Sequence, residues 1–287
     1  MGSAKGDRRR AVKQSESSPK DCAGCPAGGR LRPLGVRRSG FDYLVALAGN
    51  PNTGKSSIFN ALTGLRQHVG NWPGKTVTRA EGGFSYAGKA FKLVDLPGTY
   101  SLLSASEDEE VARNFILFGQ PDCTVVVMDA TALERNLNLA LQIIEITDKV
   151  VLCVNLMDEA ARKGLEVDVR ALTRELGVPA VPTVARTKEG LGQLVATIAG
   201  VCGGEILCRP RRPAVDGKLE EAVSELVPMI EALAPGLPNA RWVAYRLLDG
   251  DHRLRRALLS GELARLASEQ AAPIERASRL LAIEGAQ

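Results

Sequence analysis

Eight consecutive residues have the spacing that holds the phosphates of a nucleotide. Residues 49–56 match the pattern G-x-x-x-x-G-K-[ST]. In such a loop the backbone N–H groups face the phosphates at a helix N-terminus, where the helix dipole favours negative charge. The Lys55 ammonium would contact the β- and γ-phosphates, and the Ser56 hydroxyl would bind Mg²⁺. The predicted phosphate-binding residues are Gly49, Asn50, Pro51, Asn52, Thr53, Gly54, Lys55, Ser56 and Ser57.

A second group of residues has the chemistry to read a guanine base. An N-x-x-D pattern at 155–158 follows an apolar run at 150–154. The Asp158 carboxylate could accept hydrogen bonds from guanine N1–H and N2–H₂, a donor pair that adenine lacks. Asn and Asp are also common where a helix is capped. The position about 100 residues after a phosphate-binding loop favours the nucleotide interpretation. The predicted guanine-binding residues are Asn155, Leu156, Met157, Asp158, Val184, Ala185 and Arg186.

Two candidate magnesium-binding segments lie between these motifs. Residues 95–98 have the pattern D-x-x-G, in which Asp95 would hold a Mg²⁺-bound water and the Gly98 N–H would meet the γ-phosphate. The same residues also form a Pro-Gly turn. Thr76, between the first helix and the next strand, is the candidate for a second magnesium ligand. The predicted nucleotide-binding residues here are Gly74, Lys75, Thr76, Asp95, Leu96, Pro97 and Gly98.

The loop from Arg66 to Arg79 is predicted to respond to the γ-phosphate. Its backbone should be mobile without a ligand, because glycines give it conformational freedom. Trp72 lies inside the loop. Its fluorescence either reports the movement or stays constant, if Trp72 packs permanently on the domain surface.

The elements that must position these residues alternate between strand and helix, which predicts a mostly parallel sheet flanked by helices. Strands are expected near 43–48, 80–87, 90–95, 123–129, 149–155 and 179–183. Helices are expected near 54–63, 107–118, 132–146, 167–176 and 188–200. The candidate ligand loops then meet at the carboxyl ends of the strands.

A linker rich in Gly, Pro and Arg separates this α/β unit from a helical region. The predicted organisation is a basic disordered tail at 1–40, a nucleotide-binding domain at 41–202, a linker at 203–215 and a small all-helical domain at 216–287. Helices in the last domain are expected at Leu219–Ala234, Ala240–Leu248, Leu254–Leu259 and Glu262–Leu281.

Composition excludes several classes of protein. The chain has 287 residues, 45% of them hydrophobic, which supports a real core. The sequence contains no run of 18 or more apolar residues, so no membrane span is predicted. The N-terminal tail lacks the apolar core of a secretory signal. The basic tail could touch anionic lipid or nucleic acid, although a solvated tail is the simpler interpretation.

The six cysteines do not form a disulfide framework in a chain of this size, and a reducing cytoplasm is expected. Cys22 and Cys25 form a C-x-x-C that could be half of a metal site, but no second pair of ligands has the usual spacing.

The sequence resembles the bacterial ferrous iron transport protein B family. The resemblance lies in the run at 67–77, which includes His-Val-Gly-Asn-Trp-Pro-Gly, and in the stretch at 95–102 with the acidic residues and Val-Ala-Arg after it. It covers about 43–200, and a weaker likeness at 239–251 extends it to that family's helical domain. The family usually has an apolar residue in place of Lys75 and a serine in place of Val184.

The resemblance implies a GTP-hydrolysing switch that regulates or drives ferrous iron uptake at the cytoplasmic face of the inner membrane. It implies Mg²⁺ as a cofactor and a membrane iron-transport domain or subunit as the partner, and it is compatible with an oligomer. Asn52 matches the position that helps bind K⁺ in potassium-activated GTPases of this type, although Asn52 could simply shape the loop.

Catalysis is expected to be slow without outside help. Thr99 follows the D-x-x-G pattern where Ras-like enzymes have a glutamine that orients water. The remaining catalytic candidates are Lys55, Asn52, Thr76 and Gly98. Two other functions share these motifs: a ribosome-assembly or RNA-modifying GTPase, and a non-catalytic nucleotide-gated module. The mixed charge and few aromatics of the C-terminal region disfavour specific nucleic-acid binding.

Overall fold

The computed structural model describes residues 31–267, except residues 32, 39, 65, 66, 104, 105, 213 and 214. Its centre is a seven-stranded sheet with the order β2-β3-β4-β1-β5-β6-β7. The strands are β1 Tyr43–Gly49, β2 Gln67–Asn71, β3 Thr78–Tyr86, β4 Lys89–Asp95, β5 Cys123–Asp129, β6 Val150–Asn155 and β7 Ala180–Pro182. Strands β4, β1, β5, β6 and β7 pair in parallel, and β2 and β3 extend the sheet in antiparallel pairing.

Helices cover both faces of this sheet. They are α1 Lys55–Thr63, α2 Glu107–Gly119, α3 Leu133–Ile146, α4 Met157–Arg162, α5 Val169–Leu176 and α6 Leu191–Gly203. The central strands β1, β5 and β6 are buried along almost their whole length, as expected for parallel strands covered on both sides. The predicted α/β fold is therefore confirmed.

The helical domain packs on the same face of the sheet as α2 and α3. It contains α7 Gly217–Leu233, α8 Ala240–Leu248 and α9 His252–Leu259, and residues 262–267 are also helical. Trp242 of α8 is buried in the core that it shares with α2 and α3. The Asn239 side chain donates to the carbonyls of Glu145 and Ile146 at 3.1 Å, and so satisfies the exposed end of α3. The prediction for Glu262–Leu281 extends beyond the described residues after 267.

Two features of the N-terminal half differ from the sequence prediction. Residues 67–71 of the supposed loop form β2, whose side chains are mostly exposed. This strand is stabilised by backbone pairing with β3 and not by side-chain burial. Its sequence therefore has no apolar pattern that would predict a strand. Trp72, predicted within a mobile loop, is only 4% exposed because it packs edge-on against Phe115 with ring centroids 5.4 Å apart.

The predicted disordered tail at 1–40 is wrong for its last part. Leu31, Leu34 and Val36 are buried in the core beside α2. The Gly-, Ser- and Arg-rich composition masked these three apolar residues. Residues 1–30, with Cys22 and Cys25, lie outside the described residues.

The structure adds one observation about membranes. Within the described part of the chain, no helix combines the length and the apolar character that crossing a bilayer requires.

Candidate functional site

The phosphate-binding loop lies between β1 and α1, and its glycines are required by close contacts. A Cβ on Gly54, whose φ is +79°, would lie 2.3 Å from Asn155 Nδ2. A Cβ on Gly49 would lie 2.6 Å from the carbonyl oxygen of Val127. No side chain caps α1, and its first turn carries no acidic residue. The first N–H groups of this helix are therefore available to an anion.

The lysine of the loop is already paired with the D-x-x-G segment. Lys55 Nζ forms an ion pair with Asp95 Oδ1 and donates to the carbonyl of Leu96 at 2.7 Å. Burial raises the pKa of the Asp95 carboxyl, an effect that Lys55 partly offsets. The Thr99 N–H donates to the Gly49 carbonyl at 3.3 Å, and a Cβ on Gly98 would lie 3.5 Å from Pro51 N. The two predicted phosphate segments are thus in contact.

Asn155 connects the phosphate loop to the segment behind the base. Its side chain is fully buried, and Nδ2 donates to the Thr53 carbonyl at 3.0 Å. Its Oδ1 accepts from the Ala185 N–H at 3.0 Å and from Thr183 Oγ1 at 3.3 Å. Sequence reasoning assigned Asn155 to the nucleotide, whereas in this structure its contacts are with protein groups. Thr183 belongs to the segment 182–186 that is expected to back the base, but the motif does not predict its hydrogen bond to Asn155.

The candidate base-reading carboxylate faces an exposed cation. Asp158 Oδ2 lies 3.2 Å from Arg186 Nη2 and 3.8 Å from Arg162 Nη2. The Arg186 side chain is 79% exposed, so this pair contributes little and is easily exchanged. Leu156, between the two motif residues, has a left-handed φ of +63° and precedes the short helix α4. Val184 and Ala185 are buried beside the network.

Thr76 lies against the start of α2. Its hydroxyl donates to Glu107 Oε2 at 3.3 Å, and Lys75 Nζ lies 3.1 Å from Glu110 Oε2. The Trp72 N–H donates to the Val77 carbonyl at 3.0 Å and closes this turn. The contacts that the structure shows for Thr76 therefore do not join it to the other predicted magnesium ligands.

The remaining loop residues divide between exposed and buried. Asn52 is exposed and has a left-handed φ of +66°, and Ser56 and Ser57 are also exposed. The Asn50 side chain is only 1% exposed, and among the described residues neither of its amide atoms finds a hydrogen-bond partner. Such buried polar atoms are costly unless a ligand or water completes them.

Two family profiles match the chain. Residues 43–198 match the profile "Ferrous iron transport protein B", and residues 216–282 match "FeoB cytosolic helical domain". Residues 199–215, which include the end of α6 and the linker, lie between the two matches.

Named relatives and solved structures agree with these profiles. The Fe(2+) transport protein A/Fe(2+) transporter FeoB fusion protein of Porphyromonas gingivalis is 41% identical over 226 residues, which is 77% of this chain and 27% of that protein. The Fe(2+) transporter FeoB of Escherichia coli strain K12 is 37% identical over 217 residues, again 27% of its length. This chain thus spans about a quarter of these relatives. The GDP-bound cytosolic domain of T. maritima FeoB is 34% identical, covers 82% of this chain and 95% of its own, and superposes with a TM-score of 0.68.

Proposed function

This chain belongs to the ferrous iron transport protein B family, and we propose that it hydrolyses GTP slowly as a switch for ferrous iron uptake. The observation that carries the proposal is the Asn155 side chain, which joins Thr53 of the phosphate loop to Thr183 and Ala185. These bonds fix the distance between the phosphate loop and the loop behind the base. Because the phosphate loop and the loop behind the base are held at one spacing, the site suits a ligand that carries both a base and phosphates.

Guanine recognition is assigned to Asp158. The Asp158 carboxylate can exchange its exposed partner Arg186 for the two N–H donors of guanine at small cost. ATP would leave that carboxylate without the donor pair. Arg186 would then be free to lie along the base, with Val184 and Ala185 behind it.

Phosphate binding requires one rearrangement of charges. Lys55 would leave Asp95 for the β- and γ-phosphates, and the N–H groups at the start of α1 would bind the same oxygens. The buried Asn50 amide would gain partners when the loop is filled.

The oxygen ligands that the chain offers suit magnesium. Ser56, Thr76 and Asp95 provide only hydroxyl and carboxylate oxygen, the hard donors that Mg²⁺ prefers, with Asp95 acting through a water. A bound Mg²⁺ would neutralise charge on the β- and γ-phosphates. Thr76 would have to leave Glu107 to reach it, and this exchange is the proposed switch.

Hydrolysis is proposed to be slow, in the range of about 10⁻⁴ to 10⁻² s⁻¹ that unassisted GTPases show. Thr99 stands where Ras-like enzymes place a glutamine, and it is buried, with its N–H on the phosphate loop. The Gly98 N–H would meet the γ-phosphate. Asn52 at the exposed edge of the loop is proposed to help bind K⁺, which would offset the charge that develops during hydrolysis.

The physiological partner is proposed to be a membrane iron-transport domain or subunit, at the cytoplasmic face of the inner membrane. The supporting fact is that the relatives named Fe(2+) transporters are far longer than this chain, which matches 27% of each of those compared. The helical region matches "FeoB cytosolic helical domain". This match disfavours the alternative of an RNA-directed GTPase.

Calorimetric titration with GTP and ATP tests the proposal. The wild type should bind GTP, and Asp158→Asn should lose about 2–4 kcal/mol of GTP affinity, the scale for two bonds to a charged group. Xanthosine triphosphate is the matched probe, because an asparagine amide can donate to the xanthine carbonyl that replaces the guanine amino group. Recovery of binding with xanthosine triphosphate supports base reading by Asp158. Equal binding of ATP and GTP by the wild type would refute it.

A further inference from the structure

The chain before β1 runs against the sheet and the segment that carries Thr76. We name the described residues of 31–42 the strap. Leu31, Leu34 and Val36 are buried in one core cluster with Trp72. The match to the family profile begins at residue 43, so the strap lies outside it.

The strap contacts Pro73, which follows Trp72 in the chain, and Arg79, whose guanidinium lies near the Trp72 ring. Arg79 Nη1 donates to the Leu34 carbonyl at 3.1 Å. The strap also approaches so closely that a Cβ on Gly35 would lie 2.6 Å from both Arg79 Nη1 and Pro73 Cγ. The Arg79 guanidinium lies 5.4 Å from the centre of the Trp72 ring, on which it can act as a cation–π partner. The position of Trp72 therefore depends on a residue that the strap holds.

A buried charge cluster binds the strap to the β3–β4 hairpin. The Glu81 carboxylate pairs with Arg79 at 2.9 Å and with Lys92 at 2.5 Å, and each of the three side chains is at most 12% exposed. One carboxylate facing two cations leaves an excess positive charge in a nearly dry place, which is costly unless other acceptors are present. The strap supplies them, because Lys92 donates to the Arg37 carbonyl as Arg79 does to that of Leu34.

These contacts continue directly into the segment at 72–77. Trp72 contacts both Arg79 and Phe115 of α2. In the same arrangement Thr76 and Lys75 bond to Glu107 and Glu110 of α2. A segment fixed at Trp72 and Pro73 has less freedom to carry Thr76 toward the phosphates.

We propose that the strap is an autoinhibitory device, which holds residues 72–77 in the arrangement where Thr76 bonds Glu107. The inference rests on the proposed function, in which Thr76 moves to the magnesium when the γ-phosphate is present. Releasing the strap increases the fraction of molecules competent to bind the γ-phosphate. The apparent affinity for a GTP analogue then rises, because a ligand that needs a minor conformation binds more weakly by that fraction. GDP lacks the γ-phosphate, and its affinity stays constant.

Two glycine substitutions in the strap separate the contact from backbone strain. Gly35 and Gly40 both have a left-handed φ, at +68° and +81°, but a Cβ on Gly40 has nothing within 4 Å. Gly35→Ala drives a methyl group into Pro73 and Arg79, whereas Gly40→Ala imposes a similar backbone cost without the contact. Both are made in the whole chain with Trp242→Phe, so that Trp72 is the sole tryptophan.

Acrylamide quenching of Trp72 without nucleotide and binding of a non-hydrolysable GTP analogue are then measured. Gly35→Ala should increase quenching and lower the half-saturating analogue concentration about fivefold or more, the factor for a shift of about 1 kcal/mol. Gly40→Ala should resemble the parent, and GDP affinity should be the same in all three. Equal quenching and equal analogue affinity in the two glycine variants would overturn the proposal.

Arg79→Met provides a second route if Gly35→Ala does not fold. Methionine keeps apolar cover over Trp72 and removes the donor to Leu34, so the same changes in quenching and analogue affinity are expected. If Arg79→Met behaves as the parent does, the strap exerts no restraint. Should the parent bind GTP no better than ATP, the proposed function fails, while quenching still shows whether the strap holds Trp72.

Discussion

The two ends of the candidate site are held by contacts of different kinds. At the guanine end, defined as residues 155–158 and 183–186, the buried Asn155 makes three hydrogen bonds to the protein. At the switch end, defined as residues 72–77, the exposed Thr76 and the half-buried Lys75 reach single carboxylates on α2. The first set is built into the fold. The hydrogen bonds of Thr76 and Lys75 can be exchanged for other partners at little cost, since exposed pairs contribute at most about 1 kcal/mol, so the restraint on this end lies in the buried Trp72.

This difference indicates a division of labour between affinity and response. Groups fixed before binding need not be ordered when the nucleotide arrives, so the guanine end should bind GTP and GDP alike. A response to the γ-phosphate requires an element with two arrangements of similar free energy, and the switch end has the contacts for that. Lys55 of the phosphate loop, paired with Asp95 in this structure, belongs to neither end.

The largest effect is expected from Lys55→Ala, which removes the cation proposed to contact the β- and γ-phosphates. Turnover should fall by at least about 100-fold, the scale for losing one preorganised charge at a transition state. The measurement is the rate of phosphate release. Lys89→Ala is the control, because the Lys89 side chain is 56% exposed and its ion pair with Asp42 is long, at 3.9 Å. Normal turnover by Lys55→Ala would place the active site elsewhere.

Asn155→Ala should damage the guanine end by weakening both nucleotides equally. It leaves the Thr53 carbonyl and the Ala185 N–H without partners, so unfolding free energy should fall by about 2–4 kcal/mol. GTP and GDP affinities, measured with the folded protein, should fall by the same factor. Asn136→Ala is the control, since Asn136 is also fully buried but bonds to Ala132 near its own helix. A loss of affinity for GTP but not for GDP would contradict the proposed division between a guanine end that binds both nucleotides and a switch end that responds to the γ-phosphate.

A smaller effect is expected from the cation at the phosphate loop. Potassium should stimulate hydrolysis several-fold over sodium, and Asn52→Ala should remove the difference. Asn52 is exposed but has a left-handed φ of +66°, so alanine strains the backbone there and should lower the melting temperature modestly. Rates that are identical in KCl and NaCl at matched ionic strength would leave Asn52 as a loop-shaping residue.

The sequence predicted the elements whose signals are local. The continuous apolar runs of β1, β5 and β6 are buried as expected, and the loop at 49–56 lies between its strand and helix. Here each signal comes from residues that are adjacent in the chain.

Features that depend on distant partners could not be read in this way. Strand β2 owes its form to β3, and Trp72 is buried because Phe115 and Arg79 meet it. Likewise, Asn155 takes its protein contacts from loops 102 residues before it and 28 to 30 residues after it. Neither Glu107 nor Glu110 has a motif that assigns it to Thr76 or Lys75.

Hydrogen exchange with mass spectrometry tests the division between the two ends most directly, because one experiment reports on both. The protein is compared without nucleotide, with GDP and with a non-hydrolysable GTP analogue, and Thr76→Ala serves as the control. Peptides covering 155–158 and 183–186 should be protected equally by GDP and by the analogue. Peptides covering 72–77 should gain protection only with the analogue, and Thr76→Ala should lose that gain while keeping the protection by GDP. Equal protection of 72–77 in both nucleotide states would contradict the account.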